Sequence, residues 1–240
     1  MRKGWMWAAA ALVVWTGTAT GPATAGIPRR VEAVCPVNDQ KFFWTTTASY
    51  STFGSELDGQ PFGSWTFPLT IPQCPESRFP VYREFTDAEK MAIRALVATP
   101  DYAAIRDEAS YYVLAFVMER LDQPAAIDKA WVLLQASWQV RDTDPARYGR
   151  YAAEIVPAMD AALPAMQAEE PADWWYFQIA TANVLRQSGD FAGATARLDA
   201  LQGQPPGEGD LVQRVALTRE LIAAGNRASA HPPTRFDRDE

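Results

Sequence analysis

The sequence predicts a mainly helical protein headed by a small β-rich, aromatic unit. Three observations lead there. From residue 86 onward, cap signals followed by apolar residues at helical spacing recur along the chain. Residues 31–85 are instead rich in Thr, Ser, Gly, Pro and aromatics, and include one strictly alternating stretch. The 240 residues are 48% hydrophobic and 21% charged, enough apolar surface for one or two domains with a sizeable core.

The first 25 residues read as a signal peptide. Arg2 and Lys3 precede an apolar run from Trp5 to Trp15, and Ala23-Thr24-Ala25 follows the small-x-small rule for cleavage. A second cut after Ala19 fits the same rule. The run is shorter than the roughly 20 residues of a membrane span, so cleavage is favoured over an uncleaved inner-membrane anchor. With Arg2 and Lys3 gone, 20 basic residues face 29 acidic ones and the charge moves from −7 to −9. That balance excludes a generally basic nucleic-acid binder and disfavours anionic lipid. The expected location is the periplasm or the medium, with no stable membrane insertion after cleavage.

Residues 26–85 form the predicted aromatic unit. Ser64 to Ile71 alternates, placing Trp65, Phe67, Leu69 and Ile71 on one face of a half-buried strand, with Pro68 arguing for a sheet edge. Lys41 to Thr47 has the aromatic and β-branched content of a second strand. Cys35-Pro36-Val37-Asn38 and Cys74-Pro75-Glu76-Ser77 each read as half of a zinc knuckle, C-P-x-C, whose second cysteine is replaced. Asn38 and Ser77 are poor zinc ligands, which argues against a metal. In an oxidising compartment the first cysteines would instead join, and the alternative is two unrelated buried thiols. The unit's aromatics, Trp44 and Trp65 among them, offer either a core or a sugar-stacking platform.

Residues 86–227 should be helical. Thr86-Asp87-Ala88-Glu89 is a capping box opening a helix to about Ala98. Thr99-Pro100 caps the next, which reaches Leu121 with a break near Asp107. Gln123-Pro124 opens a third to about Val140, with Ile127, Trp131, Leu134 and Trp138 on one face. Asp144-Pro145 starts a fourth toward Ala168, which Pro157 and Pro164 should kink or divide. Pro171–Ser188 and Phe191–Leu201 should form a hairpin turned at Gly189-Asp190, and a last helix covers about Gly209 to Ala224. Residues 228–240 read as a flexible tail, in which the only histidine, His231, is expected to be solvated.

The hairpin at 175–208 resembles a tetratricopeptide repeat. Ala182 falls on the small position of its first helix, Gly189-Asp190-Phe191 on its turn, Ala194 on the small position of its second helix and Pro206 on its closing proline. Gln178 and Leu198 depart from the usual Trp and Phe. The mature chain resembles a bacterial family of uncharacterised proteins that place a C-P-x-C ribbon before tetratricopeptide-like helices. The residues carrying this likeness are Cys35-Pro36, Cys74-Pro75, Ser55-Glu56-Leu57-Asp58, and the Ala130-Trp131 helix with Arg141 at its end. The resemblance implies a degenerate zinc-ribbon-like unit followed by helical hairpins, and carries no activity.

There is no metalloprotease, serine-hydrolase, phosphate-loop or dinucleotide motif. Glu89, Glu108, Glu119 and Glu154 read as solvated faces of predicted helices. No catalytic residue, cofactor or metal is implied. Stacked helical hairpins make a concave surface suited to a peptide or a partner's helix. The expected function is therefore an exported, non-catalytic interaction or scaffold protein for a protein or peptide partner, a Cys35–Cys74 bridge pinning its cap. The competing expectation is a cell-wall glycan binder, or a hydrolase using a carboxylate pair 5–9 Å apart.

Overall fold

A computed structural model describes residues 26–169, 171–201, 203, 205 and 209–234. The leader and Pro206 lie outside the described residues. Two small antiparallel sheets come first. Strand β1 (Pro28–Val34) pairs with β2 (Lys41–Thr47), and β3 (Thr52–Ser55) with β4 (Pro61–Gly63). In the first hairpin Val31, Ala33, Phe42 and Trp44 share the half-buried face, while Glu32, Phe43 and Lys41 point outward. This is the period-2 pattern of a sheet covered on one side.

The strand expected at Ser64–Ile71 does not form. The segment bends at Ser64-Trp65 and again at Phe67-Pro68, Phe67 is buried, and beyond the Ser64 N–H, which donates to Ser51 O, its carbonyls find side chains instead of a partner strand. The Gln60 amide donates to the Phe67 carbonyl at 2.7 Å, and the Tyr111 hydroxyl donates to that of Leu69 at 2.8 Å. The Thr70 hydroxyl donates to the Thr45 carbonyl on β2 at 3.0 Å. Alternation reports burial on one side; it does not supply a ladder, and Pro68 has no N–H to offer one.

Eight helices follow among the described residues: α1 (Asp87–Val97), α2 (Pro100–Ile105), α3 (Ser110–Leu121), α4 (Ala126–Trp138), α5 (Pro145–Glu169), α6 (Pro171–Ser188), α7 (Phe191–Asp199) and α8 (Asp210–Ala223). Both halves of the capping box at Thr86 and Glu89 are made, and the Thr99 hydroxyl caps α2 ahead of Pro100. The expected break falls at residues 106–109, between α2 and α3. Helix α5 is not divided. Pro157 and Pro164 lie on its exposed side, as do Ala153 and Asp160, whose carbonyls lose their proline partners and can turn to water.

From α3 to α7 each helix packs on the next, and α8 closes on α6 and α7. The larger core lies under α4, α5 and α6, with Leu134, Tyr151, Ile155, Met159 and Val184 wholly buried or nearly so. A second core joins Cys35, Cys74 and Phe79 to Ile93, Tyr102, Val113 and Val117. It crosses the boundary drawn at residue 85, so the cysteine unit and the first three helices share one interior.

Ala182 and Ala194 are fully buried on the adjoining helices α6 and α7, and Gly189 turns between them at φ +100°, a conformation open to glycine. Ala194→Leu should overpack this seam and cost about 1–3 kcal/mol. Gln178 is half-buried and accepts from the Arg197 guanidinium at 2.7 Å; replacing it by alanine should cost about 1 kcal/mol. Urea unfolding of the two variants tests the ranking, and a neutral Ala194→Leu would remove residue 194 from any tight helix contact.

Candidate functional site

Cys35 and Cys74 are joined in a disulfide with Cα atoms 5.2 Å apart. Each heads the same turn. The Cys35 N–H donates to Gln40 O and the Asp39 N–H to Cys35 O, at 2.9 and 2.8 Å. At the second turn the Cys74 N–H donates to Phe79 O and the Arg78 N–H to Cys74 O, at 2.9 and 3.0 Å. Asp39 and Arg78, at equivalent points, both take positive φ, 56° and 61°. The residues standing where second cysteines would be serve the turns. Asn38 Oδ1 accepts from the Gln40 N–H at 3.2 Å, and Ser77 Oγ accepts from the Phe79 N–H at 3.4 Å.

The aromatics take neither expected role as a set. Phe67 is buried and met edge-on by Tyr50, while Phe42 packs against the disulfide core. Trp44 and Trp65 are half-buried, and Phe43 is exposed beneath the Arg30 guanidinium, 4.3 Å from its ring centroid. Glu108 is not on a solvated helix face. It lies between α2 and α3, half-buried, and accepts from Tyr151 Oη at 2.7 Å and Arg150 Nη2 at 2.9 Å. Glu154 accepts from Tyr112, and Glu119 pairs with Lys129.

The densest polar constellation is formed where the loop between β3 and β4 docks on the helices. Gly59, at φ +91°, lets the loop turn against Tyr176, whose hydroxyl would lie 2.7 Å from any Cβ there. That turn drives Leu57 and Asp58 inward, where both are buried. Asp58 is wholly excluded from water and pairs with Arg141 just beyond α4 at 2.6 Å. Two of the positions that carry the family likeness thus meet. Arg214 on α8 donates to the carbonyl of Glu56 at 2.8 Å and to that of Ser55 at 3.2 Å. Arg186 on α6, fully buried, donates to the carbonyls of Asn226 and Ala228 at 2.6 and 2.9 Å.

The segment expected to be a loose tail is held here as far as residue 234. The Leu57 N–H donates to Ala230 O at 2.7 Å, Pro232 is buried, and the His231 ring lies 4.3 Å from the Phe62 ring. Prolines in this stretch fix an extended chain that packs well against β4, which composition alone reads as solvated. The helical face that the sequence offered to a partner is therefore filled, in part, by the chain's own loop and C-terminal segment.

The electrostatics follow from this burial. Burial lowers the Arg186 pKa. Burial also works against the charge on Arg141, but Asp58 and Asp142 outweigh it and the pKa rises. Glu56 is raised, first by burial and then by Asp58, and its Oε2 is buried with no partner among the described atoms. A carboxyl raised in the folded state favours folding below its ordinary value near 4.5 and loses that contribution as pH rises through the folded value. Glu56→Gln should thus raise the thermal midpoint at pH 7, with the difference closing as the pH falls below the ordinary carboxyl value. A difference that persists there would place the effect elsewhere.

Sequence reasoning missed Arg186 and Arg214. The signal for the first was present: with Ile179, Ala182 and Asn183 it occupies one helical stripe, so a charge there sits on the buried side. Among the described residues no group of three or more His, Cys, Asp or Glu side chains is placed to hold a metal ion, and no helix is long and apolar enough to cross a membrane. Comparison with protein-family models, with curated proteins and with solved structures found no match.

Proposed function

We propose that this is an exported, non-catalytic interaction protein that takes up a protein or peptide partner. The observation that carries the reading is the way the helical layer holds its own chain. Arg186 and Arg214 grip main-chain carbonyls of two segments outside the helices, and the buried Leu57 joins those segments through its N–H to Ala230 O. Carbonyl-directed donors with one apolar pocket are the elements of sequence-tolerant peptide recognition. Export is supported by the Cys35–Cys74 bridge, which suits an oxidising compartment such as the periplasm. The buried Ala182 and Ala194 and the turn at Gly189 support a tetratricopeptide-like hairpin, and the two equivalent cysteine turns support membership of the ribbon-bearing bacterial family.

The test is selection of random octapeptides, displayed on phage, against the immobilised oxidised protein. Enrichment of a consensus over a blocked surface is the expected result. No enrichment, together with clearing of a peptidoglycan suspension by the same protein, would replace this reading by the glycan one.

A further inference from the structure

Beside the cysteine turns lies a cleft of about 580 Å³ bounded by β1 on one side and by residues 81–85 on the other. Glu32, Ala33 and Val34 all line it. Three consecutive residues of a strand can border one cleft only if the strand presents its edge, since a face would contribute alternate residues. The hydrogen-bond phase of the hairpin agrees. Cys35 and Gln40 are a bonded pair, as are Ile27 and Ala48, so the bonded positions on β1 are the odd-numbered ones. The N–H and C=O groups of Arg30, Glu32 and Val34 therefore point away from β2, and they make no main-chain bond among the described residues.

The opposite wall is also unladdered. Val81 donates to Pro72 O, but Tyr82, Arg83 and Phe85 make no main-chain hydrogen bond to another main-chain group among the described residues. The apolar part of the lining comes from Pro36, Pro72, Val81, Tyr82 and Phe85. The cations that line the cleft are already answered. Arg83 pairs with Asp122 at 2.6 Å and Glu89 at 2.9 Å, and Lys90 with Asp39 at 3.0 Å. Glu84 lines the cleft without a cation of its own among the described residues.

We infer that this cleft is where a peptide partner adds as a third strand on β1. The inference rests on the peptide-binding reading and assigns it a place. The occupant is an extended segment that pairs with Arg30, Glu32 and Val34, turns an apolar side chain toward Val81 and Phe85, and brings a Lys or Arg to Glu84. Backbone pairing gives affinity, and the apolar lining and the unanswered carboxylate select among sequences. Charged residues on β1 also discourage indiscriminate edge pairing, which leaves the cleft to a matched segment.

The probe is a fluorescein-labelled octapeptide enriched in the selection above. On binding, amide exchange at Glu32 and Val34 should slow while Val31 and Ala33, already paired with β2, stay unchanged. Glu32→Pro removes one outward N–H without touching the β1–β2 ladder and should weaken binding tenfold or more relative to Glu32→Ala, which keeps that N–H. A peptide N-methylated at alternate residues should lose binding in one of its two phases, which decides the matter even if Glu32→Pro folds poorly. Glu84→Lys should weaken binding several-fold at low salt and less at high salt. Protection appearing on α6 and α8 instead, or equal binding to Glu32→Pro and to both N-methylated peptides, would overturn the site and leave the peptide-binding reading standing. Protection of Glu32 and Val34 in concentrated protein alone, with a dimeric mass in sedimentation, would give the edge to a second copy and also overturn it. If no octapeptide is enriched, both fall.

Discussion

Asp58→Ala should cost about 3 kcal/mol, because it leaves the buried Arg141 guanidinium with only the exposed Asp142 carboxylate, 3.3 Å from its Nε. In a chain of this length that corresponds to a fall in thermal midpoint of roughly 10 °C. Asp58→Asn keeps an acceptor and should cost less. Replacing Arg141 by methionine together with Asp58→Ala should recover part of the loss, since the penalty lies in a buried charge left with one exposed partner more than in the missing attraction. Thermal and urea unfolding of the three proteins decide this. A loss below about 1 kcal/mol for Asp58→Ala would mean that water reaches the pair and that the loop is not seated as described.

Removing the bridge should have an effect of similar size. The two cysteines are 39 residues apart, and closing a loop of that length is worth about 4 kcal/mol in the chain-entropy account. The replacement Cys35→Ser with Cys74→Ser also puts two hydroxyls among Phe79, Ile93 and Val113, which raises the cost. Urea midpoints of the double variant, and of the parent with and without reductant, measure it. Near-identical midpoints would show that the shared core at α1–α3 holds the two turns together unaided. The bridged protein should show no free thiol on titration.

What was legible in the sequence was what is decided locally. The start of α1 is readable because Thr86 and Glu89 satisfy each other's main chain within one turn, and that of α2 because Thr99 caps the Tyr102 N–H and Pro100 has no N–H to satisfy. The two cysteine turns were readable as equivalents, since both repeat one short pattern and close it with the same hydrogen bonds. What could not be read was decided at a distance. Ser64–Ile71 alternates like a strand, yet its carbonyls are served by the Gln60 and Tyr111 side chains while its own Thr70 hydroxyl reaches β2, and no local rule distinguishes such bonds from those of a neighbouring strand. The Pro-rich C-terminal segment seemed unstructured by composition because Phe62 and Leu57, which receive it, lie far up the chain. Only in the resemblance did Asp58 and Arg141 stand together, and nothing in their spacing said that they touch.

The clasp between the β3–β4 loop and the C-terminal segment also sets an order in time. Arg214 reaches Glu56 across 158 residues, and Leu57 is bound by a carbonyl still further along. A chain that emerges from its N-terminus can close the two cysteine turns and join them as soon as Phe79 is clear, because those contacts are short in sequence. Asp58 must wait for Arg141, beyond α4, and Leu57 waits longer, until α8 and residue 230 have arrived. The first lock of the molecule is thus covalent and local, and the last is a ring closure that joins its beginning to its end. Shortened chains that stop before α8 would keep the disulfide and yet carry a buried anchor with nowhere to go.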